Sequence, residues 1–355
     1  MSTQIIAVGG SSPAKWRHDQ VGPNVSENGD SFLLIDQALH LPGCESRRGF
    51  LFAVADGLGG EGHDDIASTT AMEELDRVAR EREYTGPPGE RPSSPDAWMR
   101  YAISRVNDAV CQEREKREIG GCFTTLTAAL VLLEGDRATL YPGQVGDSRL
   151  YLLRNGHLRQ LSRDDGEGGF ISRVVGDPHL FQSPSAPYAI TYARHAENRQ
   201  AMLGHLSEVI GEAFDARDRL SPEVYGPLFL GLLEDNPGSA EGQRGEQALQ
   251  ALEHALGRPR LRSLLARLVQ SYQTRARELA AIDLSPDDLL LLCSDGISNA
   301  FDTSFLERIL DRALESASSA RGLESALETF LTTPGRVDDD RTLILVRIMD
   351  SVSEK

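Results

Sequence analysis

Gly49-Phe50-Leu51-Phe52-Ala53-Val54-Ala55-Asp56-Gly57-Leu58-Gly59-Gly60 is an apolar run that stops at a carboxylate and opens into glycines, four of them within residues 57–62. Phe50 to Ala55 reads as a short buried strand with punctuation on either side. A carboxylate at the end of such a strand is unfavourable unless it is paired or metal-bound. The glycines behind it let backbone carbonyls and a small ligand come close, which a Cβ would obstruct. Read alone, Asp56 is either a metal or phosphate residue or a plain strand-to-turn aspartate. Asp295-Gly296 repeats the arrangement after the equally apolar Leu289–Cys293.

Outward from Asp56, the first half of the chain is rich in strand signals. Ser31–Asp36 and Thr124–Leu133 are apolar runs, and Arg137–Tyr141 and Ser148–Arg154 flank the bend Gly143-Gln144-Val145-Gly146-Asp147. Asn155-Gly156 closes a hairpin into His157–Leu161. Short strands joined by tight turns favour an antiparallel sheet. Helical spacing marks Asp64–Arg82 (Ile66, Met72, Leu75, Val78) and Pro95–Arg117 (Trp98, Ile103, Val106, Val110), and such stripes read as core faces. Further on, helices over Thr303–Ser316 and Ala320–Leu331 precede a final strand, Thr342–Ile348.

Composition shifts near Pro178. From Tyr192 to Ala281 the pattern is helical, with stripes at Met202/Leu206/Val209/Ile210/Phe214, at Leu249/Leu252/Leu256 and at Leu261/Leu264/Leu265/Leu268/Val269. The organisation expected is α+β: a first part over 1–177, a helical insertion over 178–282, and a last part over 283–355.

A chain of 355 residues can bury one large core plus a smaller unit, or two ordinary domains. Hydrophobic content of 40% and charged content of 26% are those of a soluble globular protein. The net charge of −17 argues against nucleic acid and anionic membranes as partners, since both would repel it. The start lacks a basic region leading into a long apolar stretch, and no stretch approaches a membrane span, so a cytoplasmic location is expected. The four cysteines (Cys44, Cys111, Cys122, Cys293) show no C-x-x-C spacing, and Cys122 and Cys293 read as reduced core residues.

Acidic residues recur beside apolar strands: Asp30, Asp56, Asp147, Asp295 and the run Asp338-Asp339-Asp340. No matching histidine or cysteine cluster accompanies them, so zinc and copper are poor candidates and magnesium or manganese better ones. Carboxylates at strand ends can converge on one edge of a sheet, where two metals can share a water and lower its pKa.

Taken in order, Asn28–Phe32, Val54–Gly60, Gly62 through Ser68, Thr124–Leu126, Val145–Arg149, Leu161–Asp164, Leu291–Gly296 and Asp339–Thr342 resemble the metal-dependent protein phosphatase family, the protein phosphatase 2C-like Ser/Thr enzymes of bacterial type. The likeness covers about three fifths of the chain. It implies a four-layer α-β-β-α sandwich of two antiparallel sheets flanked by helices, with the insertion added. It also implies two manganese or magnesium ions, with Asp56 bridging them and the Gly57 carbonyl binding one. Asp295 and Asp339 would complete the other ion's shell, Asp30 would bind through water, and Asp147 would help Asp295 hold a third, weaker ion. The implied reaction is single-step hydrolysis of phosphoserine or phosphothreonine by a metal-activated water. The implied substrate is a phosphorylated protein, with a Ser/Thr kinase or its targets among the candidates.

Several positions depart from the family. Its phosphate-holding arginine, three residues before Asn28, is Val25 here; Arg17 or Arg149 are candidates to substitute, or are ordinary surface and strand arginines. Gly29 replaces an acidic residue, Asn299 stands where many bacterial relatives have an aspartate, and the final Asp-Asn pair is Asp339-Asp340, with Asp338 leaving the register open by one residue. Leu58 takes the place of a histidine found in some animal members, and His63 reads as a loop histidine. The insertion holds six arginines between Arg258 and Arg277 without an acid, either a platform for an acidic or phosphorylated partner or a face paired with the acidic body. These departures support a second reading, a catalytically weak member that acts as a regulatory phosphoprotein-binding module. A phosphatase with an aspartyl nucleophile would want a second aspartate two residues after Asp56, where Leu58 stands.

Overall fold

The computed structural model describes residues 3–14, 28–39, 47–58, 63–81, 91–167, 170–182, 196–213, 222–233, 249–250, 253–254, 257–316 and 320–350. The strands are β1 (Thr3–Ser12), β2 (Asp30–Leu39), β3 (Arg48–Leu58), β4 (Phe123–Thr124), β5 (Leu126–Glu134), β6 (Arg137–Val145), β7 (Arg149–Arg154), β8 (His157–Gln160), β9 (Gly166–Glu167), β10 (Phe170–Ile171), β11 (Ile282–Leu284), β12 (Leu289–Cys293) and β13 (Arg341–Asp350). The helices are α1 (Asp64–Arg80), α2 (Pro95–Arg117), α3 (Ala196–Ala213), α4 (Pro222–Leu233), α5 (Arg258–Leu279), α6 (Asp295–Ser298), α7 (Thr303–Ser316) and α8 (Ala320–Thr332). One sheet runs β1-β13-β12-β7-β8 and the other β11-β6-β5-β3-β2, with β4 paired to β3. Every pairing is antiparallel.

Period-two alternation explains the layers. Phe50, Phe52 and Val54 of β3 meet Leu290 and Leu292 of β12 and Ile344, Val346 and Ile348 of β13 between the sheets. The intervening Leu51, Ala53 and Ala55 face Met72, Leu75 and Val78 of α1 and Trp98, Ile103 and Val106 of α2. On the opposite side Leu289, Leu291, Leu343 and Leu345 pack on Leu306 and Leu310 of α7 and Leu323 and Phe330 of α8. Both faces of these strands are covered, so their sequences run apolar without a break. The result is the α-β-β-α sandwich implied by the motifs. The β7–β8 turn has Asn155 at φ 52° and Gly156 at φ 75°, the left-handed pair a tight hairpin turn requires.

Between β10 and β11 the helices α3, α4 and α5 form a bundle with a core of its own, built on Met202, Leu206, Ile210, Phe229, Leu230, Leu264, Leu268 and Tyr272. Leu180 packs in the sandwich core and Ile282 already belongs to β11, both inside the bounds 178–282 expected for the insertion. Two of its arginines pair inside the bundle region, Arg267 with Glu212 at 3.3 Å and Arg258 with Glu253. Phe214, Leu252 and Leu256 lie outside the described residues. No helix among the described residues is long and apolar enough to cross a membrane.

Candidate active site

Register brings the carboxylates to one end of the sandwich. Asp30 opens β2 and pairs directly with Asp56 near the end of β3. Cys293 of β12 pairs with Arg149 of β7 and Leu343 of β13, so the residues just beyond those strand ends, Asp295, Asp147 and Asp339, share that end. Burial raises the Asp56 carboxyl well above the usual range, and the charges of Asp30, Asp295, Asp339 and Asp147 raise it further. Burial also lifts Asp30 to about 7, opposed by a hydrogen bond from Ser294 and reinforced by Asp340 and Asp295. Asp147 is lifted to about 6 by burial and by Asp295 and Asp164. Among the described residues no three of these side chains close into a ready-made coordination cage. The strongest charges acting on Asp56 are nonetheless all negative, and hard oxygen donors short of a cation suit magnesium or manganese.

Backbone approach at the site is as close as the glycines suggest. A Cβ on Gly57 would lie 1.9 Å from the Asp64 carbonyl oxygen and 2.6 Å from that of Gly29. A Cβ on Gly296 would lie 1.8 Å from the Asp340 carbonyl oxygen. Each glycine therefore admits a second backbone strand beside a carboxylate.

Hydroxyls fix the cluster from behind. The Asp56 amide donates to Thr125 Oγ1 at 3.0 Å, and the Asp56 carbonyl accepts from the Thr125 amide and from Thr124 Oγ1, each at 2.9 Å. Thr125 Oγ1 also lies 2.7 Å from Ser148 Oγ, which ties β3 to the loop carrying Asp147. Ser294 Oγ donates to Asp30 Oδ2 at 2.7 Å and accepts from the Thr342 amide at 3.1 Å.

The three terminal aspartates separate into distinct positions. Asp338 is exposed and acts on Arg341. Asp339 is exposed and acts on Asp56. Asp340 is buried and accepts from the Ala14 amide at 2.8 Å and from the Gly29 amide at 2.7 Å. Asp340 thus clamps the ends of β1 and β2, a role the sequence does not display because its partners lie more than 300 residues away. A second buried group also escapes sequence reading: Asp165 accepts from Arg173 Nη2 at 2.8 Å and from the Gly146 amide at 3.1 Å. That pair braces the turn before Asp147, and nothing in its eight-residue spacing announces it.

Of the candidate phosphate-holding arginines, Arg149 grips Asp164 through Nε at 3.0 Å and Nη2 at 2.7 Å and also donates to the Tyr151 hydroxyl. Arg17 and Val25 lie outside the described residues. Asn299 donates to Asp295 Oδ2 at 3.1 Å, so it supports that carboxylate from outside.

The profile described as Protein phosphatase 2C matches residues 36–332, and the chain belongs to that family. It is 35% identical over 155 residues to the serine/threonine protein phosphatase PstP of Mycobacterium tuberculosis, covering 44% of this chain and 27% of that protein. It is 35% identical over 112 residues to the serine/threonine phosphatase stp of Listeria monocytogenes, covering 31% of this chain and 41% of that one. The chain thus spans about a quarter to two fifths of the length of the curated relatives it matches. Among solved structures it resembles PppA, a key regulatory component of T6SS in Pseudomonas aeruginosa, at 19% identity and a TM-score of 0.50 over 98% of this chain and 99% of that one, a likeness of fold.

Proposed function

We propose that this chain is a metal-dependent protein serine/threonine phosphatase that hydrolyses phosphoserine and phosphothreonine at the Asp56 cluster. The observation that carries this reading is the convergence of Asp30, Asp147, Asp295 and Asp339 on Asp56, with the strongest charges there all negative. Asp56, the Gly57 carbonyl, Asp30, Asp147, Asp295 and Asp339 would hold two or three manganese or magnesium ions, with Asp56, Asp295 and Asp339 closest to the chemistry. Such ions, when bound, supply positive charge to the phosphoryl oxygens and acidify a water for attack on phosphorus.

The chain's own residues do the positioning. Thr124 and Thr125 hold the Asp56 backbone from both its donor and its acceptor side. Ser294 commits its hydroxyl proton to one oxygen of Asp30, which orients that carboxylate. Asp340 spends both oxygens on amides, which fixes the backbone of Gly29 beside Asp30.

The substrate class is a phosphorylated protein, and a Ser/Thr kinase or its targets fit the kind of relative named above. The bundle within 178–282 is proposed as a platform for a protein partner, supported by exposed arginines on α5. A cytoplasmic setting is supported by Cys111, Cys122 and Cys293, all free. The test is p-nitrophenyl phosphate hydrolysis with manganese, comparing wild type with Asp56→Asn and Asp295→Asn. Metal-dependent turnover abolished by both substitutions is expected; turnover indifferent to either, or none in the wild type, sinks the reading.

A further inference from the structure

The family that the motifs resemble places an arginine on the substrate's phosphate besides the metal ions, and Val25 cannot supply that guanidinium. Three described arginines near the cluster are already committed. Arg149 is held by Asp164, and Arg173 is buried on Asp165. Arg341 donates to the carbonyls of Phe330 and Thr333 at 3.1 and 2.6 Å and lies over the Phe301 ring.

Arg336 differs from all three. With Arg341 it lines a cleft of about 410 Å³ whose wall also carries Ser12, Pro13, Asp338 and Asp339, but its own guanidinium faces solvent. Asp339 therefore belongs both to the carboxylate cluster and to the wall that carries Arg336. The Arg336 side chain is 69% exposed and pairs at 2.8 Å with Asp302, itself 49% exposed. An exposed pair of this kind is worth at most about 1 kcal/mol, so a dianionic phosphate can displace Asp302. The backbone beneath is fixed: the Arg336 amide donates to the Ala300 carbonyl at 3.1 Å, and Arg341 grips the carbonyl of Thr333. Gly335 sits so close that a Cβ there would lie 2.5 Å from Ala300 Cβ. A loop anchored on Ala300 thus presents a solvent-facing guanidinium in the cleft whose wall also carries Asp339.

We propose that Arg336 receives the phosphate of the substrate in this cleft, in place of the arginine missing at position 25. The inference rests on the phosphatase reading above. A guanidinium fork matches two phosphate oxygens at once, which suits a group that must hold the phosphate while the opposite side faces the carboxylates.

Binding and turnover are measured separately on the manganese-loaded protein, for wild type, Arg336→Ala and Arg336→Lys. Calorimetry with inorganic phosphate is expected to show binding weakened about tenfold or more by Arg336→Ala, with part restored by Arg336→Lys. KM should rise by a similar factor for p-nitrophenyl phosphate and for a phosphothreonine peptide alike. Unchanged phosphate affinity overturns the proposal, as does a wild type that binds no phosphate. A KM rise confined to the peptide overturns it too, since Arg336 would then read flanking residues instead. If the wild type turns over neither substrate, the phosphatase reading fails, and the calorimetric comparison still decides Arg336.

Discussion

Replacing Gly57 by alanine isolates the close approach on which the site depends. The added Cβ would lie 1.9 Å from the Asp64 oxygen, and real Cβ contacts essentially never fall below 3.0 Å. The difference, 3.0 − 1.9 Å, requires a shift of at least 1.1 Å between the β3 end and the start of α1. Both obstructing groups, at Asp64 and Gly29, are backbone, so no side chain can rotate away. Overpacking of this sort costs about 1–3 kcal/mol, and a displacement near 1 Å at a reacting centre costs roughly a hundredfold in rate. Gly57→Ala is therefore expected to lower Tm by several degrees and to reduce kcat/KM for p-nitrophenyl phosphate about a hundredfold. Gly296→Ala should behave alike, because its Cβ would meet Asp340 at 1.8 Å. Gly120→Ala, where nothing lies within 4 Å, is the control. If Gly57→Ala matches Gly120→Ala in both melting and turnover, the close-approach argument is wrong.

The buried pair of Asp165 and Arg173 predicts that Arg173→Ala costs about 3–5 kcal/mol in a urea titration, because an unpaired carboxylate is left inside. Asp165→Asn combined with Arg173→Met should recover much of that loss, and equal losses in the single and double variants would contradict the account. In EDTA, Asp30 at about 7 and Asp147 at about 6 bind protons that the unfolded chain, at about 3.8, has already released. Stability of the metal-free protein should therefore fall as pH rises from about 4 to about 7, and manganese should restore it at neutral pH; a flat melting profile in EDTA would refute this. Leu268→Ala should destabilise the helical bundle by about 2–5 kcal/mol while leaving p-nitrophenyl phosphate turnover within about twofold, since that bundle has its own core. Lost turnover in that variant would show that the two cores are coupled.

Much of the sandwich can be read directly because its strands are covered on both faces. Leu289–Cys293 and Thr342–Ile348 carry unbroken apolar runs, and α1, α2, α7 and α8 show their stripes within a residue or two of their ends. The acidic residues at those strand ends are visible for the same reason, since a carboxylate closing an apolar run stands out. Strand β1 is less legible: Thr3–Ser12 contains two glycines and only a short apolar stretch, and it forms through ten pairs with β13. Strand β11 has three residues, too few for any period to show. Asp340 illustrates the larger limit, because an aspartate that binds two amides looks the same in sequence as one that faces a metal. Arg336 is hidden similarly: its place in the cleft depends on a loop anchored to Ala300, a contact that spacing does not reveal.

The pairing of β1 with β13, together with the Asp340 clamp on Gly29, sets the order in which the carboxylate cluster comes together during synthesis. A nascent chain can build β2, β3, β5 and β6 and already carry Asp30, Asp56 and Asp147, yet it lacks Asp339 until α7 and α8 have also been made. Contacts so distant in sequence close late and slowly. The strand that follows the last carboxylate also zips the first strand into its sheet, so the carboxylate cluster is completed only as the fold closes.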